Sequence, residues 1–143
     1  MLIFGCKEEQ TIGNNILTLL KGMAALIGGV VSYILGGFDS MLLILVILSI
    51  IDYISGILAA AYLQKVDSQI GYKGILKKIG IYCIVAVANL LDMAMGTDLI
   101  RGAAIGFYMA MEGISILENM GRMGLMIPQK VSDMLVQLQG KEK

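Results

Sequence analysis

Long apolar stretches separated by short polar segments dominate the chain. Four of them cover residues 22–38, 41–63, 79–95 and 99–117, each near the roughly 20 residues with which an α-helix crosses a bilayer. We therefore predict an all-α integral membrane protein with about four transmembrane helices. The first stretch is the shortest, and we expect Ile16–Lys21 to extend it by a turn. The alternative is a surface helix there, which would leave three spans and an external amino terminus.

The segments outside these stretches complete a single membrane domain, residues 1–143. Residues 1–21 are interpreted as a cytoplasmic leader and residues 121–143 as a cytoplasmic tail. After Pro128 the tail resumes with apolar residues on one helical face, namely Val131, Met134, Leu135 and Leu138. This spacing predicts a short C-terminal amphipathic helix that packs on its own bundle or lies on the membrane.

The basic residues indicate how the spans are oriented. Of the eleven lysines and arginines, Arg101 alone falls on one side of a four-span arrangement. Because cytoplasmic loops carry the excess of lysine and arginine, both termini and the Gln64–Lys78 loop are predicted to be cytoplasmic.

Composition narrows the function classes. The chain is 57% hydrophobic, with mean hydropathy +0.81, a net charge of +0 and no histidine. It offers no basic patch for nucleic acid and no imidazole for a metal centre or a catalytic base. We expect no enzyme activity, no cofactor and no metal.

Acidic residues nevertheless recur inside the apolar stretches, where ionised groups are costly. They line a pathway or meet across subunits, or else each forms an interhelical hydrogen bond that sets the register. Near the span ends, at Asp92 and Glu118, we favour the hydrogen bond; deeper in, at Asp52 and Glu112, both readings stay open. The candidate gating residues are Asp52, Asp92, Glu112, Ser115, Glu118 and Asn119.

Small residues mark candidate helix-packing faces. In the first span they recur at every fourth position, at Ala24, Gly28, Ser32 and Gly36, and in the second span Gly56 lies one turn after Asp52. Such a pattern is typical of helices that approach closely, within one chain or between chains.

The polar residues between Asp52 and Pro128 form an ordered pattern, of which the stretch Glu112-x-x-Ser115-Ile116-x-Glu118-Asn119 is the most specific part. The other residues of the pattern are Asp52, Gly56 and Asp92, the cytoplasmic-loop residues Ser68, Gly71, Gly74, Lys77 and Lys78, and the tail residues Gly124 and Pro128. Read in order, these residues resemble those of the toxin secretion/phage lysis holin family.

The resemblance implies a small homo-oligomeric protein of the bacterial cytoplasmic membrane. Such a protein accumulates and then opens lesions, through which an endolysin or a large toxin without a signal peptide leaves the cell. Its expected partners are copies of itself and the lipid bilayer, and the cargo need not touch it. Met1–Ser40 contributes nothing to the resemblance.

Two other classes of protein fit the residues. In a small ion-coupled channel or transporter subunit, Asp52 and Glu112 would carry a proton or cation, and flux would be limited to small ions. In a membrane scaffold, the loop Gln64–Lys78 and the tail Gly121–Lys143 would recruit a soluble partner, and cells would stay intact at high expression.

Overall fold

The protein is described here by a computed structural model that covers residues 2–65 and 68–138. Within these ranges it contains five α-helices and no β-strand: α1 (Leu2–Ile34), α2 (Ser40–Tyr62), α3 (Ser68–Met95), α4 (Leu99–Arg122) and α5 (Gln129–Leu138). The segments long and apolar enough to cross a membrane are Asn14–Ile34, Ser40–Tyr62, Gly71–Met95 and Leu99–Arg122. The prediction of an all-helical chain with four such helices is confirmed.

Three helices extend further than the apolar stretches that predicted them. α1 begins at Leu2 rather than after a leader, α3 begins at Ser68 rather than at residue 79, and α4 continues to Arg122. Hydropathy alone predicts that each helix ends where the apolar run ends. Backbone hydrogen bonding within a helix does not depend on side-chain polarity, so a helix continues through charged residues that find partners or water.

The first helix ends earlier than predicted, which corrects one packing residue. Gly36 lies beyond α1 in a left-handed conformation (φ +79°), and the Gly37 N–H donates to the Ser32 carbonyl at 2.8 Å. A glycine in this conformation closes a helix without the steric penalty of a Cβ. The small-residue stripe on α1 therefore consists of Ala24, Gly28 and Ser32.

The chain divides into two compact units, with the boundary after Gly37. The first unit is α1 and its closing turn. In the second unit α2 packs most extensively against α4, α3 packs against both, and α5 contacts α4.

One face of α2 forms the centre of the second unit. Its buried residues recur every three or four positions: Leu42, Leu45, Ser49, Asp52, Ser55 and Ala59. Large apolar side chains such as Ile47, Ile54 and Leu58 are exposed on the other sides of the helix. The face of α2 that is buried in the bundle is thus more polar than its exposed faces, as expected for a helix whose outer side contacts lipid.

Two aspartates organise the bundle end where α2 and α4 begin. Asp39 accepts a hydrogen bond from the Leu42 N–H at 2.8 Å, and its carboxylate forms an ion pair with Arg101, with 2.6 Å between Oδ2 and Nη1. Asp92, near the end of α3, accepts from the Thr97 hydroxyl, from the Ile100 N–H at 3.1 Å and from the Arg101 N–H at 2.7 Å. Both carboxylates satisfy amides that a helix start leaves without intrahelical partners.

Candidate functional site

A buried charged cluster joins the three helices of the second unit. Lys78 of α3 reaches Asp52 of α2, with 2.5 Å between Nζ and Oδ2, and forms a second ion pair with Glu112 of α4. The side chains of Lys78, Asp52 and Glu112 are 13%, 10% and 1% exposed, respectively. Because ionised groups are stable in a membrane interior only with partners, this cluster is the candidate functional site.

Hydroxyl and amide groups from α2 and α4 surround the Asp52 carboxylate. Asn119 Nδ2 donates to Ser55 Oγ at 3.0 Å and to Asp52 Oδ1 at 3.3 Å. Ser55 Oγ donates to the Asp52 carbonyl at 2.9 Å, and Ser115 lines the same cavity as Asp52. Glu112, Ser115 and Asn119 follow steps of three and four along α4, so one face of that helix carries all three to Asp52.

The cluster holds more carboxylate than ammonium. With both acids ionised, Asp52, Glu112 and Lys78 carry a formal charge of −1, and a single added proton brings them to neutrality. Within the described ranges, Glu112 Oε1 and Ser49 Oγ are buried without a hydrogen-bond partner. Since an unpaired buried oxygen loses its hydration without compensation, Glu112 is the member of the cluster that is least well satisfied.

Glycines allow α3 to approach α2 beside the cluster. A Cβ added to Gly74 would lie 3.2 Å from the Tyr53 ring, and one added to Gly71 would lie 3.4 Å from the Tyr53 hydroxyl. Between α2 and α4, a Cβ added to Gly56 would lie 3.6 Å from Asn119 Nδ2. These close approaches bring the three backbones near enough for the short-range contacts of Asp52.

The structure corrects the place of the residues assigned to the cytoplasmic loop. Ser68 is the first residue of α3, and Gly71, Gly74, Lys77 and Lys78 lie within that helix rather than in a loop. The sequence pattern places these lysines at the end of a polar connection, because they interrupt the apolar run.

Sequence reasoning therefore missed Lys78 as the partner of both acids, although a signal existed. If α3 is continued towards its start as a helix, Lys78 falls on the same face as the buried residues Ile81, Val85 and Asp92. The packing role of Tyr53 was also missed, and no comparable pattern marks it.

The remaining predicted residues lie apart from the cluster. Asp92 is at the opposite end of the bundle, where it caps α4, and Glu118 is exposed. Gly124 closes α4 with a positive φ of +84°, and Pro128 immediately precedes α5. The candidate gating residues that meet at one place are thus Asp52, Glu112, Ser115 and Asn119.

Comparison with known proteins identifies the family to which this chain is similar. Residues 29–140 match the model of the bacteriophage holin family. An uncharacterised protein of Listeria innocua is 44% identical over 110 residues, covering 76% of this chain and 79% of its own. A probable holin of Bacillus phage phi105 is 34% identical over 93 residues, covering 64% of this chain and 69% of its own. No solved structure matches significantly. The family match confirms the resemblance carried by the polar residues from Asp52 to Pro128.

Proposed function

Because the chain belongs to the bacteriophage holin family, we propose that it accumulates in the bacterial cytoplasmic membrane, assembles with copies of itself and opens lesions there. It is a holin-like multi-pass membrane protein with four helices able to span the bilayer. The proposed cargo is an endolysin or a large toxin that lacks a signal peptide. The proposed orientation, with both termini cytoplasmic, rests on the distribution of basic residues.

The observation that carries the proposal is the buried cluster of Asp52, Lys78 and Glu112 at the centre of three membrane-spanning helices. In this arrangement Lys78 pairs with both acids inside the bundle. If the helices separate, the same polar faces require water, because bare ions in hydrocarbon are strongly disfavoured. A rearranged assembly would then line a hydrated path with these faces.

Self-association is proposed to use the small-residue stripe of α1. A Cβ at Gly28 would meet nothing within 4 Å, and neighbouring large side chains such as Leu26 and Ile27 are exposed. Small residues at this spacing allow a second helix to approach closely. Since association follows mass action, the extent of assembly rises with the amount of protein in the membrane. This dependence supplies the lag before lesions open.

The test is inducible expression in bacteria together with a cytoplasmic endolysin. We expect abrupt entry of a membrane-impermeant dye after a lag, followed by lysis that requires the endolysin. Gly28→Leu should delay or abolish dye entry, whereas Gly29→Leu, on an adjacent face of the same helix, should change the onset little. Both positions have open space around the added Cβ, so neither variant clashes within its own unit.

The controls equalise protein in the membrane by immunoblot and include the endolysin without this chain. Cells that continue to exclude dye at high membrane levels of the wild-type protein would refute lesion formation. Equal onset times for the two leucine variants would refute the assignment of the stripe on α1.

The surplus carboxylate of the cluster favours a second candidate, a small ion-coupled channel. Asp52 and Glu112 share the ammonium of Lys78, which leaves one negative charge for a proton or cation to balance. Purified protein in vesicles separates the two functions: a channel of this kind passes protons or small cations while retaining a fluorescent dye, and a holin-like lesion releases both.

A further inference from the structure

A cavity of about 320 Å³ opens between the ends of three helices in the second unit. Its walls come from the last turns of α2, the first turns of α3 and the last turns of α4, with Asp52 and Lys78 among the lining residues. The volume falls within the range of about 300–1,000 Å³ that is typical of small-molecule sites.

Cations dominate the lining of this cavity. Among the residues that the structure describes, Lys65, Lys77, Lys78 and Arg122 line the cavity together with one acid, Asp52. Lys78 is already engaged in the buried cluster, but within the described ranges no ion pair joins Lys65, Lys77 or Arg122 to an acid. Three basic side chains, one from the segment after α2, one from α3 and one from the end of α4, therefore converge with positive charge to spare. A concave site with this charge selects an anion.

Apolar side chains at the end of α2 and at its C-cap form another part of the same lining. Ile57 and Leu63 both border the cavity and are 41% and 45% exposed, respectively. They lie at the end of a helix that is long and apolar enough to span the membrane. A free phosphate gains nothing from such a wall, whereas a lipid places its phosphate against the cations and its acyl chains along the apolar side.

We propose that this cavity binds the headgroup of an anionic phospholipid. The phosphate lies among Lys65, Lys77 and Arg122, and the acyl chains pass over Ile57 and Leu63 into the hydrocarbon. Bound there, the lipid contacts α2, α3 and α4 at once, immediately outside the cluster of Asp52, Lys78 and Glu112. This site is independent of whether the assembled protein opens lesions.

The test measures phospholipid binding to the purified full-length protein in a neutral detergent. Phosphatidylglycerol and phosphatidylcholine with identical acyl chains are titrated, and bound lipid is counted by native mass spectrometry. We expect the wild type to retain phosphatidylglycerol at least tenfold better than phosphatidylcholine. Lys77→Gln should weaken this binding roughly fivefold, and Lys77→Gln with Arg122→Gln roughly 25-fold, since each surface cation contributes about that factor.

The matched control is Lys73→Gln, an exposed lysine one turn earlier on α3 that does not line the cavity. Its binding should stay within twofold of the wild type. Far-UV circular dichroism checks that each variant keeps its helical content. If the double variant does not fold, the single variant Lys77→Gln, at an exposed position, still tests whether the cavity cations bind the lipid. Glycerol 3-phosphate, titrated as a soluble anion, should bind far more weakly than the lipid.

Each contrary outcome overturns a stated part of the proposal. Equal retention of the two lipids would exclude a headgroup site for anions. An equal loss in Lys73→Gln and Lys77→Gln would show general attraction to a basic surface rather than a cavity. Binding of glycerol 3-phosphate as tight as that of the lipid would show a site for free anions.

Discussion

Replacing Lys78 by methionine removes the ammonium that holds two buried carboxylates and keeps most of the apolar stem. At the 2.5 Å that separates Lys78 Nζ from Asp52 Oδ2, Coulomb attraction with an effective dielectric constant of about 20 amounts to about 7 kcal/mol. Desolvation of each buried ion costs several kcal/mol and offsets much of this attraction. Removal of one partner leaves uncompensated charge, so we expect Lys78→Met to lower the free energy of unfolding by about 3–5 kcal/mol.

A double-mutant cycle isolates the pairing from other effects of the substitution. Glu112→Gln alone leaves Lys78 with one acid and should cost no more than about 1–2 kcal/mol, because Oε1 of Glu112 already lacks a partner. In Lys78→Met with Glu112→Gln, one of the two uncompensated charges is gone. We expect this double variant to be more stable than the sum of the single losses by about 1–3 kcal/mol.

The assay is unfolding of the purified protein in mixed micelles by a titration with sodium dodecyl sulfate, followed by circular dichroism. Lys73→Met, at an exposed lysine of the same helix, is the matched control and should change stability by less than about 0.5 kcal/mol. If Lys78→Met costs no more than Lys73→Met, or if the double variant shows no coupling, the cluster does not stabilise the helix bundle as inferred.

Two further predictions concern other parts of the second unit. The hydrogen bond from Arg101, followed by that from the Leu42 amide, holds the pKa of Asp39 below its usual 3.8. Its stabilisation is therefore present above about pH 4 and disappears as the pH falls through the lowered pKa. Asp39 is 44% exposed, so its ion pair contributes under about 1 kcal/mol to the free energy of unfolding. The difference in stability between the wild type and Asp39→Asn should therefore shrink as the pH falls from 6 to 3. A difference that stays constant over this range would contradict the prediction. Gly74→Ala should be less stable than Gly80→Ala by about 1–3 kcal/mol, because both gain helix propensity but only the first crowds a neighbouring ring. Thermal unfolding in one detergent compares the two variants, and equal midpoints would contradict the close approach.

Local patterns predicted the spans well because membrane insertion depends on quantities that are local in sequence. The apolar stretch 41–63 coincides almost entirely with α2, Ser40–Tyr62. The inward face of that helix was also predictable, since Ser49, Asp52 and Ser55 recur at helical spacing. The prediction was wrong at the start of α3, because lysines interrupted the apolar run without ending the helix.

The candidate site was predictable only in part, for a related reason. Asp52, Glu112, Ser115 and Asn119 were recognised as polar residues in spans, and the structure brings them together. Their common cation was assigned to a loop, because a lysine near a span end ordinarily faces water. Whether it instead turns inward depends on how closely the helices approach.

The sequence by itself determined the number and lipid-facing character of the membrane-spanning helices, since each depends on the hydropathy and periodicity of a continuous segment. Only the tertiary structure decided that Lys78 lies between Asp52 and Glu112, which are 26 and 34 residues away along the chain. It also decided that Tyr53 packs on Gly74 and that Asp92 caps the helix after its own. These contacts join residues distant in sequence, and their geometry follows from how three backbones pack, which no single segment encodes.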